Sequence, residues 1–278
     1  MKKIESELIF EIASKFKKTD GVVTKTKNLQ HGIKRMHTQI LTGTASKKFE
    51  RDVGNYVSFV FDELLFFDAV AKNMLSIFLS KEIKRLLKIH KISPEKVLIV
   101  GLGNEKYACD RLGKGVASRV LVTKPYLEKK LFTKKQMNEI YAFSPGVYGT
   151  TGLESGATIK SVCNLISPNL VVAVDSLVAS KTSTLAKSIQ LSDTKLSPGG
   201  GVGNNRLEIS QNTLSVPVFT IGFPTVTNLQ KYSENEEDLI VTPKDIEAKC
   251  SDISKIIARA INISFCNLTS DELFELTS

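Results

Sequence analysis

Two short apolar runs constrain the fold of this chain more than any other feature. Val97–Val100 (VLIV) leads into the turn sequence GLGN, and Leu170–Val174 (LVVAV) is followed directly by Asp175. Continuous apolar runs of this kind are typical of strands buried on both faces, as in a parallel sheet. Segments with helical spacing alternate with such runs, so we expect an α/β fold with a mainly parallel or mixed sheet and helices on both faces.

The remaining patterns add detail to this scheme. Short alternating runs between about residues 20 and 61 predict a β-rich portion that flanks the α/β core within a single domain, 1–278. We further predict helices over about 62–90, 110–116, 133–141, 158–166 and 243–263, and strands over 119–123, 188–194 and 216–224. Thr242 is the expected N-cap of the last helix, since Pro243 suits the first helical position and Asp245 the third.

Several enzyme classes find little support in the sequence. The three histidines, His31, His37 and His90, precede the first glycine turn and lack metal-ligand spacing, and the four cysteines form no CxxC pair. Ser-His-Asp, Cys-His and zinc-hydrolase sites are therefore poorly supported, and we expect neither a metal nor a cofactor. Dispersed cysteines, the lack of a long apolar run and the lack of a signal-peptide core favour an intracellular protein without membrane association.

A formal net charge of +9 raises the question of a nucleic-acid partner. The lysines are spread through helical patterns such as Lys81–Lys91 and are not interleaved with exposed aromatic residues. We therefore expect a solvated basic surface without direct nucleic-acid contact. The charge also suits attraction to an acidic protein or to a protein bound on nucleic acid.

Neither glycine-rich segment matches a nucleotide-binding motif. The turn GLGN (101–104) lacks the third glycine of a dinucleotide loop, and no acidic residue ends a strand about 20 residues later. The segment 197–206 (SPGGGVGNNR) lacks the Gly-Lys-Ser/Thr ending of a P-loop. Its glycines would allow close backbone approach beside a ligand crevice, whether to a peptide backbone or to a phosphate.

Asp110 and Asp175 are the strongest candidates for chemistry. Each follows one of the two apolar runs, so both are expected just beyond strand ends, where an open α/β sheet binds its ligands. Two carboxyl groups a few ångströms apart cannot both ionise easily, and they can share one proton as an acid–base pair. Ordinary helix-capping aspartates would fit the same positions. Cys109 is a poor nucleophile, because the neighbouring carboxylate would raise the pKa of its thiol.

The chain resembles the germination protease family, a distinct lineage of aspartic-type spore endopeptidases. The resemblance covers nearly the whole chain and is weakest before Phe61. It rests on seven motifs in family order: VLIVGLGN, ACDRLGKGVASRVLVT, FSPGVYGTTGLES, LVVAVDSLVAS, IQLSDTKLSPGGGVGNNR, VPVFTIGFPTV and LIVTPKDIE. The resemblance implies a phosphorylase/hydrolase-like core similar to that of hydrogenase-maturation endopeptidases.

The resemblance also implies an activity. Family members cut small acid-soluble spore proteins, the DNA-coating proteins of dormant spores, and their two catalytic aspartates fall on Asp110 and Asp175. We therefore expect a tetrameric aspartic endopeptidase in the cytoplasm of the forespore or spore core. One carboxylate would activate water while the other, protonated, polarises the peptide carbonyl; which aspartate holds the proton stays open. The alternatives are a peptidase of the same fold that processes another protein and a catalytically silent homologue that binds spore proteins.

Further residues are expected to support this site. Asp193, in LSDT, is a candidate third acid, although a turn or capping role fits equally well. Glu154, in GLES, either caps the following helix or orients a catalytic group. Candidates for the walls of the substrate groove are Gly200, Gly201, Gly203 and Asn204.

The first residues of the chain bear on regulation. A segment resembling the start of the mature family enzymes begins almost at Met1, so we expect little or no propeptide and no zymogen control by its removal. Phe10–Ser14 (FEIAS) resembles the cleavage sequence of the spore-protein substrates. A cut after Glu11 is therefore a hypothesis, beside the simpler interpretation of this stretch as a short helix or arm.

Overall fold

The computed structural model describes residues 6–16, 19–197, 207–228 and 240–277. In chain order its strands are β1 (Val22–Asn28), β2 (Lys34–Ile40), β3 (Gly54–Val60), β4 (Lys96–Gly101), β5 (Glu139–Phe143), β6 (Leu170–Ala179), β7 (Ser188–Ser192), β8 (Val218–Asn228) and β9 (Ile240–Val241). Within the described ranges these nine strands form one sheet in the order β1-β2-β3-β7-β8-β6-β4-β5, with β9 paired to β8.

The sheet has a parallel half and an antiparallel half. Strands β8, β6, β4 and β5 pair in parallel, whereas β1, β2, β3 and β7 extend the sheet antiparallel to one another, and β7 joins β8 antiparallel. The predicted mixed α/β sheet is therefore confirmed. The antiparallel half is the predicted β-rich N-terminal portion together with β7.

Helices precede, connect and follow these strands along the chain. In chain order they are α1 (Ile9–Ser14), α2 (Gly43–Phe49), α3 (Ala69–Ile89), α4 (Leu112–Ala117), α5 (Lys124–Glu128), α6 (Tyr148–Thr151), α7 (Ser155–Ile166), α8 (Gln211–Leu214), α9 (Ile246–Phe265) and α10 (Ser270–Thr277). Two 3-10 turns, Glu63–Phe67 and Ala108–Asp110, precede α3 and α4. None of the helices in the described part of the chain combines the length and apolarity that a membrane span requires.

Both faces of the parallel half are covered by apolar clusters. Alternate residues of a strand point to opposite faces. Ile99 and Val172 accordingly join one cluster with residues of α3, α4 and α9, while Leu98 and Val171 join another with residues of α7. This double burial explains why VLIV and LVVAV are apolar at consecutive positions. It also leaves the ends of the strands as the place for polar chemistry.

Two local predictions were wrong between α4 and β5. Residues 119–123 form no strand; Leu121 N–H donates instead to the Asn262 side chain at 3.0 Å. Residues 134–136 form a turn, Met137 forms an isolated bridge with Cys266, and the strand β5 follows where the spacing predicted a helix. Ile140 pairs in register with Val97 of β4. The segment therefore forms the edge strand of the sheet, although the spacing of its apolar residues is helical.

The predicted cap of the last long helix was also wrong. Helix α9 begins at Ile246 and Asp245 takes the N-cap position, without a side-chain capping bond. Thr242 Oγ1 donates to Thr225 O at 2.8 Å and so anchors the segment before the helix to β8. The predicted amphipathic strand at 188–194 exists as β7, but all its residues are buried, because β7 lies between β3 and β8 inside the sheet.

Candidate active site

Asp175 lies inside β6, which corrects the prediction that it follows the strand. Strand β6 continues to Ala179, whereas its neighbour β4 ends at Gly101, which pairs with Val174. On the other side Asp175 pairs with Gly222 of β8, and this pairing carries the strand past the end of the apolar run. Asp175 is thus the first residue of β6 beyond the end of β4. The carboxyl group still lies at the carboxyl end of the parallel strands, where ligands of open α/β sheets bind.

Asp110 ends the 3-10 turn Ala108–Asp110, which contacts β6, β8 and α9. Asn104 N–H donates to Asp110 Oδ2 at 2.8 Å, so the loop after β4 closes around the carboxyl group. Gly103 makes this closure possible: its φ is +104°, and a Cβ atom there would lie 2.7 Å from Asp110 Oδ1. Glycine is therefore required at this turn both for its conformation and for space.

A backbone link brings the loop of Asp110 to the strand of Asp175. Leu102 N–H donates to Val174 O at 2.8 Å, directly before Asp175. Helix α4 then begins against the same backbone, and a Cβ atom at Gly113 would lie 2.6 Å from Val174 O. The two aspartates, far apart in sequence, therefore sit on adjoining pieces of rigid backbone. We refer to them as the aspartate pair.

The surroundings of Asp175 favour its neutral form. The residue is 8% exposed, and burial raises the pKa of its carboxyl group well above the ordinary value of 3.8. The negative charges of Asp110 and, after it, of Glu7 raise this pKa further, while the hydrogen bond from Ser176 N–H to Asp175 Oδ1, 2.8 Å long, opposes the shift. Asp175 therefore keeps its proton to a higher pH than an ordinary aspartate.

The shifted pKa of Asp175 predicts a pH-dependent effect of Asp175→Asn on stability. An acid whose pKa is raised on folding contributes stability fully below its unfolded pKa, here about 3.8, and loses it as the pH rises through the folded-state pKa. Asparagine cannot ionise, so the variant should match wild type at acidic pH and become the more stable protein as the pH rises. Thermal unfolding midpoints across the pH range measure this difference. A variant that grows progressively less stable than wild type with rising pH would contradict the assignment.

A third acid near the aspartate pair comes from the N-terminal segment. Glu7 N–H donates to Val178 O at 2.9 Å, and Val178 N–H donates to Glu7 Oε2 at 2.8 Å. Burial raises the pKa of Glu7, against the lowering effects of the Val178 N–H and the positive charge of Arg51. Glu7 was not predicted from the sequence, because no local pattern places the first residues beside β6. The resemblance of this stretch to mature family enzymes was the only signal that pointed to it.

Asp193 has other partners. Asn55 donates to it from its backbone N–H at 2.6 Å and from its side-chain amide at 2.7 Å, and His90 Nε2 lies 2.7 Å from Asp193 Oδ2. Strand β7 runs antiparallel to β8, so Asp193 follows Ser192, which pairs with Thr220, at the end of the sheet away from the aspartate pair. These contacts tie β3, β7 and the end of α3 together and do not support a role as third acid.

Glu154 caps helix α7, which is one of its two predicted roles. Its Oε2 accepts the N–H of Ala157 at 2.7 Å, while its Oε1 is buried and has no hydrogen-bond partner among the described residues. The groove candidates Gly200, Gly201, Gly203 and Asn204 lie outside the described residues. Their role stays a prediction.

Cys109, directly before Asp110, is the other candidate nucleophile considered for this site. Burial raises the pKa of the half-buried Cys109 thiol, and the charge of Asp110 raises it further, which agrees with the prediction of a poor nucleophile. In the part of the chain that the structure describes, no three His, Cys, Asp or Glu residues are grouped as metal ligands. The site is thus defined by carboxyl groups: two on adjoining backbone, one of them inclined to hold a proton.

Comparisons with known proteins agree with the motifs of the sequence. The family model described as germination protease matches residues 3–235. A germination protease of Clostridium perfringens (strain 13 / Type A) is 32% identical, over 88% of this chain and 88% of that protein. One of Caldanaerobacter subterraneus subsp. tengcongensis is 31% identical over 98% of both. A crystal structure of the NiFe hydrogenase maturation protease HycI from Thermococcus kodakarensis KOD1 is similar with a TM-score of 0.39 and 16% identity, over 65% of this chain and 98% of that one.

Proposed function

The chain belongs to the germination protease family, and on that premise we propose that it is an aspartic-type endopeptidase that degrades small acid-soluble spore proteins during germination. The observation that supports the proposal best is the environment of Asp175. This buried carboxyl group has its pKa raised by burial and by the neighbouring charge of Asp110. Pairs of titratable groups with separated pKa values are the usual mark of an acid–base assignment.

Within this proposal Asp110 is the general base and Asp175 the general acid. Asp110 is the more exposed of the two, so a water molecule can reach its carboxylate. Asp110 takes a proton from this water as the oxygen attacks the peptide carbonyl carbon, and Asp175 donates its proton to the carbonyl oxygen. When the tetrahedral intermediate collapses, the C–N bond breaks, Asp110 passes its proton to the leaving amine, and Asp175 recovers the proton from the hydroxyl oxygen. Both carboxyl groups are thereby restored.

The proposal extends to the partners and the place of action. The substrate is an acid-soluble spore protein, the enzyme acts in the forespore or spore core, and it assembles as a tetramer. Family membership supports the first two of these points, while the tetramer rests on the resemblance noted in the sequence. Sedimentation of the purified chain tests the last one, since a monomer would contradict it.

Incubation of the purified full chain with an acid-soluble spore protein tests the substrate. Mass spectrometry of the products should show a few discrete cuts, and an unrelated unfolded protein at the same concentration should remain intact. Equal cutting of both proteins would favour the alternative, a peptidase with another substrate. Binding without cleavage would favour a catalytically silent homologue. A parallel reaction with a chelator should proceed at full rate if the carboxyl groups alone activate the water.

A further inference from the structure

The N-terminal segment is part of the fold beside the candidate site. Leu8 and Phe10 pack in an apolar cluster with Leu177 and Ala179, which follow Asp175 on β6. Leu8 is fully buried and Phe10 is 8% exposed. Since alternate strand residues share a face, Leu177 and Ala179 lie on the same face of β6 as Asp175. The segment is therefore held against the face that carries the acid, immediately after it.

Glu7 is fixed at this place by a reciprocal pair of bonds. Its backbone N–H and its carboxyl oxygen engage the C=O and the N–H of Val178, at 2.9 and 2.8 Å. Arg51 Nη2 donates to Ser6 O at 2.6 Å and secures the residue before it. A carboxyl group held this firmly, three positions along the strand from Asp175, has little freedom to turn away. We propose that Glu7 is a third acid of the site, a positioning residue that acts on the reaction through Asp175.

This inference rests on the proposed function and deepens it. Charges from separate parts of the chain act on Glu7 and Asp175: the charges of Asp110, on the 3-10 turn, and of Glu7 raise the pKa of Asp175, and the charge of Arg51, after α2, lowers the pKa of Glu7. An ionised Glu7 makes ionisation of Asp175 more costly, because like charges in a buried site repel. Asp175 then remains an acid to a higher pH. Burial raises the pKa of Glu7, while the Val178 N–H and the positive charge of Arg51 favour its ionised form, so Glu7 acts on Asp175 in the pH range above its own raised pKa.

Glu11 provides a matched control within the same segment. Glu11 is a buried glutamate, 2% exposed, and it binds the residue directly after β6: Ser180 donates to its Oε2 from N–H at 2.8 Å and from Oγ at 2.7 Å. Glu11 thus contacts the chain further from Asp175 than Glu7 does, and the charges that raise the pKa of Asp175 are those of Asp110 and Glu7. The carboxyl group of Glu11 also accepts from the hydroxyls of Ser6 and Thr184, so replacing it perturbs the segment at least as much as replacing Glu7, without removing the Glu7 charge that acts on Asp175.

The test compares Glu7→Gln with Glu11→Gln in the full chain. Glutamine keeps the oxygen that accepts from Val178 N–H but removes the charge. The alkaline limb of the pH dependence of kcat/KM, where Asp175 loses its proton, should move to lower pH by about one unit in Glu7→Gln and stay in place in Glu11→Gln. Glu7→Asp, which restores the charge, should return the limb towards that of wild type. Intact mass confirms that residue 7 is still attached.

A second readout is independent of activity. The titration of Asp175, followed by NMR of a carboxyl-labelled chain, should shift to lower pH in Glu7→Gln even if no spore protein is cut. In that case the proposed function would fail while the role of Glu7 stands. An unchanged titration and pH profile in a folded Glu7→Gln variant would overturn the inference, as would equal shifts in both glutamine variants. If Glu7→Gln does not fold, Arg51→Gln gives the second test, because it removes the positive charge that favours ionised Glu7: a titration of Asp175 unchanged from wild type in that variant would overturn the inference.

Discussion

Replacing Asp110 or Asp175 by asparagine is expected to lower the rate of peptide-bond cleavage by about 10²- to 10⁴-fold. Asparagine has nearly the shape of aspartate but transfers no proton at neutral pH. Asp110→Asn loses the base that activates water, and Asp175→Asn loses the acid that protonates the carbonyl oxygen. Because the two residues act on one transition state, the double variant should be little worse than the more damaged single variant. Single-turnover cleavage with enzyme in excess measures these rates.

Asp193→Asn is the matched control for this prediction. Asp193 is a carboxyl group with a buried side chain in one of the motifs that resemble the family, but it is bonded to Asn55 and His90. Its replacement should lower the thermal unfolding midpoint, since asparagine cannot serve both donors of Asn55 equally well, and should leave the cleavage rate of the folded protein within a few-fold of wild type. Full-rate cleavage by either Asp110→Asn or Asp175→Asn would refute the proposed mechanism.

Gly113→Ala is expected to destabilise the protein severely. Gly113 lies in α4 where the helix meets the backbone that joins β4 to β6, and a Cβ atom there would lie 2.6 Å from Val174 O and nearer still to Leu102. Neither backbone can withdraw without breaking the Leu102–Val174 hydrogen bond, which is 2.8 Å long. The free energy of unfolding should fall by about 3 kcal/mol or more. Chemical denaturation gives the value.

Gly149→Ala controls for the loss of a glycine. Gly149 lies in the short helix α6, and apart from its chain neighbours and the backbone of its own helix no described atom comes within 4 Å of the position that its Cβ would take. Its replacement should change the free energy of unfolding by less than about 1 kcal/mol. An equally harmless Gly113→Ala would show that α4 does not approach β6 this closely. It would also contradict the backbone contacts that place Asp110 near Asp175.

Local signals in the sequence predicted that Asp110 and Asp175 lie at the same end of the sheet. VLIV and LVVAV are apolar at every position because helices cover both faces of β4 and β6. Each run therefore marks a central strand, and the acid after it marks the end of the strand at which open α/β sheets bind ligands. The run LVVAV could not reveal that β6 continues through Asp175. That continuation depends on pairing with β8, where Gly222 lies opposite Asp175.

Local sequence patterns could not predict the contacts between distant parts of the chain. Glu7 reaches Val178, and Asp193 reaches Asn55 and His90, only because the antiparallel half of the sheet brings these segments together. For this reason the sequence pattern predicted Asp193 as a candidate third acid and did not predict Glu7. Strand β5 shows the same limit, since its local spacing is helical and only pairing with β4 makes it a strand.

In the proposed mechanism Asp175 holds a proton beside an ionised Asp110 at the pH where the enzyme works. The most direct measurement is the titration of the Asp175 carboxyl group by carbon NMR, with its resonance assigned by its loss in Asp175→Asn. We expect a midpoint well above the ordinary aspartate value of 3.8, moving towards that value when Asp110 is replaced by asparagine. A midpoint near 3.8 in the folded wild-type protein, unmoved in Asp110→Asn, would contradict the claim.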